Sequence, residues 1–206
     1  MPTFKLIYFD GRGVAERTRL LFKIAKIDFE DVRYSREEMT QRKEAGEFAV
    51  AMGKLPILEV DGVQLSQSKA IERFVARQLG LMGSSPMEEA QIDAVCEHQR
   101  DVREAYGKVD GKPEAPEWFE KDFPEALAKF EKALPASPGP FLMGPTLTLA
   151  DLAWFQFLIE FLDRPEEVEA VSKVLPSMPR LKAAMDGVLS NPEIAAWRES
   201  RPKGMF

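Results

Sequence analysis

The sequence predicts an α/β lobe followed by an all-helical lobe, and three observations carry that reading. Strand and helix signals alternate up to about Arg77-Gln78, and Gly80 to Pro86 is a loop rich in glycine, serine and proline. Beyond that loop every periodic segment has helical spacing. The expected boundaries are therefore a first domain over 1–79, a linker over 80–85 and a helical domain over 86–206.

Along the chain, Phe4 to Phe9 alternates as a strand. Asp10-Gly11-Arg12-Gly13 breaks it before a helix carrying Ala15, Leu20, Leu21 and Ile24. Gly53-Lys54-Leu55-Pro56 is a second breaker cluster, and Ile57 to Val60 is a short apolar strand. Asp61-Gly62 is a two-residue hairpin turn into Val63-Gln64-Leu65. Ser68 opens a helix on Ala70, Ile71, Phe74 and Val75. In the second lobe, helical patterns cover 87–107, 116–134, 148–162, 165–174 and 178–189, with 135–145 as a broken connector. Thr148-Leu149-Ala150-Asp151 reads as a capping box before the apolar run Leu152, Ala153, Trp154, Phe155, Phe157 and Leu158, which belongs in a core.

Three features point to a pocket for a small peptide-like anion. A proline at a strand entrance cannot donate to the ladder. If its bond is cis, Leu55 turns its backbone N–H and C=O outward, toward an extended ligand. Ser68 and the first amides of its helix sit at a positive helix end, which suits a carboxylate. On spacing alone, Ser68 reads equally as a plain cap and Pro56 as a plain turn residue. Tyr8 stands at the carboxyl end of a strand, facing a helix N-terminus, where open α/β sheets bind ligands. A lone strand tyrosine ordinarily packs.

Composition narrows the class. With 206 residues and 45% hydrophobic content, the chain can bury one or two ordinary cores. A net charge of −6 and a pI near 5.1 argue against nucleic acid, which needs a basic face. A single cysteine allows no internal disulfide and suits a reducing compartment. Cys96 reads as a small buried hydrophobe, and His98 lacks neighbours at metal-ligand spacing. No segment has the roughly 18 consecutive apolar residues that span a bilayer, and no signal-peptide core stands at the start, so the expected location is the cytoplasm, with no membrane partner.

Four motifs in order carry a family resemblance: Tyr8-Phe9-x-x-Arg12-Gly13-x-Ala15-Glu16, Gly53 to Gly62, Ser66-Gln67-Ser68, and Leu149-Ala150-Asp151-Leu152. Over its whole length the chain resembles the glutathione transferases, and among them the sigma class, the group that includes the glutathione-dependent prostaglandin D synthases. The resemblance implies a thioredoxin-like first domain of order βαβαββα and an all-α second domain. It also implies glutathione as co-substrate, no metal, and a two-fold homodimer. Tyr8 is similar to the hydroxyl that hydrogen-bonds the glutathione sulfur and favours thiolate over thiol. Leu55 ahead of Pro56, with Lys54 beside it, resembles the pair to the cysteinyl part. Gln67 and Ser68 resemble the γ-glutamyl carboxylate binders. Lys43 aligns with a lysine that meets the glycyl carboxylate, and Asp101, from the partner subunit, with a contact to the γ-glutamyl amine. Asp151 resembles a folding element. Met52 takes the place of an aromatic that locks the dimer in other classes.

Three departures accompany the resemblance. Val14 stands where sigma enzymes carry an arginine near the tyrosine, leaving Arg12 as the cation that could compensate. Met39 replaces a tryptophan whose N–H holds the glycyl carboxylate. The segment Glu44 to Met52 is longer than its counterpart. The expected electrophile site is an apolar cleft between the lobes, lined by Phe9, Gly13, Tyr106, Phe157 and Phe206. The implied activity is conjugation of glutathione to hydrophobic electrophiles, that is, detoxification. The alternatives are isomerisation of the prostaglandin H2 type and a non-catalytic role as a ligand carrier or crystallin-like structural protein.

Overall fold

The computed structural model describes residues 2–136 and 138–204. The chain forms two compact units: the residues up to Leu79 together with those from Pro192 on, and Gly80–Asn191.

The first unit opens with β1 (Phe4–Phe9), a 3-10 turn (Gly13–Ala15) and α1 (Glu16–Ile24), followed by β2 (Glu30–Tyr34) and α2 (Arg36–Glu44). A second 3-10 turn (Ala49–Ala51) leads into β3 (Ile57–Val60), β4 (Val63–Ser66) and α3 (Ser68–Gln78). The four strands lie in the order β2-β1-β3-β4, with β1 parallel to β2 and antiparallel to β3, the βαβαββα arrangement expected. Asp61 and Gly62 both have positive φ, 48° and 85°, as the tight hairpin between β3 and β4 requires.

β1 is an inner strand paired along both edges, and burial of the successive residues Leu6, Ile7 and Tyr8 shows that both its faces are covered. Phe4 packs on Phe22 of α1 with ring centroids 4.9 Å apart, and Leu6 and Leu58 are fully buried. On the cluster side, Ile7 and Ile57 join Phe48 and Ala51, and the half-buried Val32, Tyr34, Met39 and Leu55 pack against them. α1 and α3 are tied by a buried ion pair, Arg17 Nη1 to Glu72 Oε2 at 2.7 Å. Buried charges persist when paired in this way.

The second unit is helical. It comprises α4 (Pro86–Val109), the short α5 (Ala115–Glu117), a π-helical turn (Trp118–Asp122) and α6 (Phe123–Ala133). After a connector come α7 (Leu149–Phe155), which continues as a π-helical turn (Gln156–Phe161), then α8 (Pro165–Val174) and α9 (Pro179–Leu189). The helical patterns over 116–134 and 148–162 are thus each interrupted by a π-turn, which an apolar period cannot show. At the start of α7, Asp151 is fully buried. Its Oδ2 accepts from the Thr148 N–H at 2.8 Å, and its Oδ1 from the Leu142 N–H at 2.7 Å.

One helix has no counterpart in the sequence reading. α10 (Pro192–Ser200) belongs to the first unit, although the expected boundary placed 192–206 in the helical domain. The reason is a polar anchor: Glu16, fully buried at the start of α1, accepts at Oε1 from Trp197 Nε1 and Arg201 Nη1, both at 2.8 Å. Ile194 is buried with them. Among the described residues no helix is long and apolar enough to cross a membrane.

Candidate active site

The sheet register builds the site. Ile7 pairs with Ile57, and Ile57 with Ser66. The next residues toward the carboxyl end of β1 are Tyr8, Pro56 and Gln67, so three separate motifs meet at one end of the sheet. The Leu55-Pro56 peptide bond is cis. Gln67 is the residue before α3 and has φ 73°, a left-handed value that costs a non-glycine residue about 1–3 kcal/mol. Its side chain makes no capping hydrogen bond to the helix. Ser68 is therefore the first helical residue rather than the cap, and the first-turn amides point out from the positive end of α3, as an anion requires.

Tyr8 is almost wholly buried, with 5% of its surface exposed, and its hydroxyl accepts from the Val14 backbone N–H at 3.3 Å. Gly13 makes this approach feasible. Its φ is +42°, and a Cβ there would lie 2.5 Å from the Tyr8 hydroxyl oxygen. Phe9 is half-buried, its ring 4.0 Å from that of Tyr8, so both first-lobe residues expected near the sulfur stand beside the tyrosine.

A buried arginine other than Arg12 lies near Tyr8. Arg19, fully buried in α1, places its guanidinium 5.9 Å from the centroid of the Tyr8 ring. The same group donates to the carbonyls of Gly11 at 2.8 Å and Arg12 at 3.4 Å, and to Asp31 at 3.0 Å. Sequence reading missed Arg19. Its one legible signal was an arginine one residue before the buried Leu20 and Leu21, on a helix whose charges otherwise look solvated.

Lys43 is exposed at the end of α2, and its stem crosses Gly53: a Cβ there would lie 3.0 Å from Lys43 Cε. The lysine is thus held against the Gly53-Lys54-Leu55 turn, where Lys54 is exposed and Leu55 half-buried. Met39 packs half-buried on the same apolar cluster as Leu55. It fills the space as a hydrophobe and supplies no donor.

The second-lobe aromatics expected at the electrophile site, Tyr106 and Phe157, are buried within the helical unit. Tyr106 is buried among Trp118, Phe119 and Phe161, and its hydroxyl is engaged by Asp110 at 2.9 Å, by Glu167 and by Arg164. Burial, reinforced by the two carboxylates, pushes its pKa far up. Phe157 has no exposed surface and packs against Trp154 and Phe161. Both are core residues of the helical unit, held there by packing that helical spacing could not separate from a pocket wall. Phe206 lies outside the described residues. Asp101 is exposed on α4.

A cavity of about 590 Å³ lies wholly within the second unit, lined by Lys112, Pro116, Phe119, Glu120 and Arg164 among others, and includes neither Tyr8, Pro56 nor Gln67. Among the described residues no three His, Cys, Asp or Glu side chains stand together as metal ligands. The carboxyl end of β1 thus brings together the Tyr8 hydroxyl, the cis peptide before Pro56 and the positive end of α3, a set that suits a peptide carrying a carboxylate.

Comparison with known proteins decides the family. The model described as the glutathione S-transferase N-terminal domain matches residues 4–77, and that of the glutathione S-transferase C-terminal domain matches residues 100–201. The chain belongs to the glutathione S-transferase family. It is 35% identical to glutathione S-transferase 1 of Ascaris suum over 98% of both chains, and 34% identical to the hematopoietic prostaglandin D synthase of Gallus gallus, covering 98% of each. Among solved structures it is similar to a transferase of Haemonchus contortus described as Nu-class, with TM-score 0.81 and 37% identity over the whole of both chains. The chain is thus an enzyme of the transferase type whose family uses glutathione as co-substrate, and its thioredoxin-like and all-helical domains are those of the family.

Proposed function

We propose that this transferase conjugates glutathione to hydrophobic electrophiles, with Tyr8 holding the sulfur as thiolate. The observation that carries this reading is the Tyr8 hydroxyl accepting from the Val14 N–H at 3.3 Å. Accepting from a backbone amide polarises the phenol and strengthens its O–H as a donor to the sulfur. The thiolate is the nucleophile, a free thiol titrates near ~8.5, and a donor to the charged form lowers that value. The cis peptide and Leu55, the start of α3 with Gln67 and Ser68, and Lys43 with Lys54 are the proposed glutathione contacts. Phe9 and Gly13 flank the electrophile. Asp101 of a second copy completes the site in the proposed homodimer, and the cytoplasm is the proposed location.

For class, sigma is the proposed assignment, resting on the sequence motifs and the prostaglandin D synthase relative; the Nu-class name of the Haemonchus contortus structure competes with it. That same relative favours a second reading, glutathione-dependent isomerisation of a prostaglandin H2-type substrate through the same thiolate.

Conjugation to 1-chloro-2,4-dinitrobenzene, measured for wild type and Tyr8→Phe alongside retention on immobilised glutathione, tests the proposal. The expected result is retention by both proteins and a loss of turnover in the variant of about tenfold or more at neutral pH, since each unit of thiol pKa changes the thiolate fraction up to tenfold. Equal turnover in both would refute the role of Tyr8. Retention with turnover in neither would move the reading to a ligand carrier.

A further inference from the structure

We infer that the C-terminal segment Trp197 to Gly204 is a positioning element for Tyr8, acting through Glu16 and Arg19 on the loop that carries the Val14 N–H. This rests on the thiolate role of Tyr8 proposed above and adds residues remote in sequence from it.

The contacts form a continuous chain within the first unit. Trp197 Nε1 and Arg201 Nη1 each donate to Glu16 Oε1 at 2.8 Å. The other oxygen of that carboxylate, Oε2, accepts from Arg19 Nη1 at 3.2 Å. Arg19 Nη1 also holds the carbonyls of Gly11 and Arg12, immediately before the residues that meet the Tyr8 hydroxyl. A second contact bypasses this relay. Gly204 lies against Asp10, so that a Cβ at 204 would stand 2.9 Å from the Asp10 carbonyl oxygen and 3.0 Å from its Oδ1. The loop 10–14 is therefore gripped from within by Arg19 and from outside by the tail.

The physical reason for such an arrangement is the nature of the loop. Gly11 and Gly13 leave it with little stiffness of its own, and Gly13 is in the left-handed region. A hydrogen bond from Val14 to Tyr8 is only as well aimed as that loop is held. Glu16 and Arg19 have fully buried side chains, and Arg201 is 14% exposed, so the relay works where water does not compete. Breaking it at Arg201 leaves every proposed glutathione contact untouched.

The test is the ultraviolet titration of the bound glutathione thiolate across pH, in wild type, Arg201→Met, Arg201→Lys and Gly204→Ala, each also in a Tyr8→Phe background. The expected result for Arg201→Met is a thiol titration moved up by about one unit, equivalent to a tenfold loss of thiolate at neutral pH. KM for glutathione stays unchanged, and Arg201→Lys restores part of the shift. Gly204→Ala moves the titration in the same direction, which keeps the test decisive if Arg201→Met does not fold. In the Tyr8→Phe background neither substitution moves it further. An unmoved titration in Arg201→Met and Gly204→Ala, or an equal shift with and without the Tyr8 hydroxyl, overturns the inference. If Tyr8→Phe alone leaves the titration unchanged, it is the thiolate role of Tyr8 that fails.

Discussion

A methyl group at position 13 would stand 2.5 Å from the Tyr8 hydroxyl oxygen, on a backbone with φ +42° that side chains rarely adopt. Gly13→Ala must therefore displace either the tyrosine or the loop, and both carry the hydrogen bond from Val14. We expect kcat for conjugation to fall about tenfold or more while retention on glutathione persists, because the hydroxyl is displaced and the carboxylate contacts are not. Wild-type kcat in the variant would show that the close approach has no catalytic role. Gln67 carries a comparable constraint at the other end of the site, with φ 73° in a residue that is not glycine. The motif around Tyr8 and the Ser68 helix start was legible in the sequence because breaker residues and hydroxyls have strong local preferences. Arg19 was not legible, since only the packed structure shows that a charge on α1 turns inward.

At the scale of elements, three helix ends are fastened by different devices. α2 is closed by a capping box in which the Glu38 carboxylate accepts from the Ser35 N–H at 2.8 Å and the Ser35 hydroxyl from the Glu38 N–H at 3.2 Å. The corresponding device at α7 is buried, which makes it costlier to lose. Asp151→Ala strands the Leu142 and Thr148 N–H groups away from water, and we expect a loss of about 2–4 kcal/mol in unfolding free energy, with little change in KM. Denaturant unfolding of the variant checks this, and a loss below about 0.5 kcal/mol would mean that water reaches the donors. The end of α4 is fastened differently. Asp110 and Glu167 share the Tyr106 hydroxyl and the Arg164 guanidinium. Against the penalty of partial burial, the arginine and the tyrosine hold the Asp110 carboxyl below its ordinary range. The capping box at Asp151 was predictable from four consecutive residues, whereas the Tyr106 network joins residues about sixty positions apart and leaves no local signature.

For the whole molecule, two exposed apolar residues bear on the proposed homodimer. Val50 and Met52 stand open to solvent, Met52 with 77% of its surface exposed, on the segment leading to the cis proline. Met52→Asp should shift sedimentation from the mass of two chains toward one, and reduce glutathione affinity if Asp101 serves the partner's site. A wild-type protein that sediments as one chain at micromolar concentration would remove both the dimer and the borrowed aspartate. The α/β and helical lobes, the break near Gly80, the hairpin at Asp61-Gly62 and the motifs at Tyr8, Pro56 and Ser68 were all legible in the sequence, because each rests on short-range preferences of turns, caps and periodicity. Only the tertiary structure decided that 192–200 is a helix anchored on Glu16 in the first unit, that Tyr106 and Phe157 are core, and that Tyr8 is held by a backbone amide and overlooked by Arg19. Those outcomes depend on which buried groups find partners far away in the chain, and no local pattern encodes that pairing.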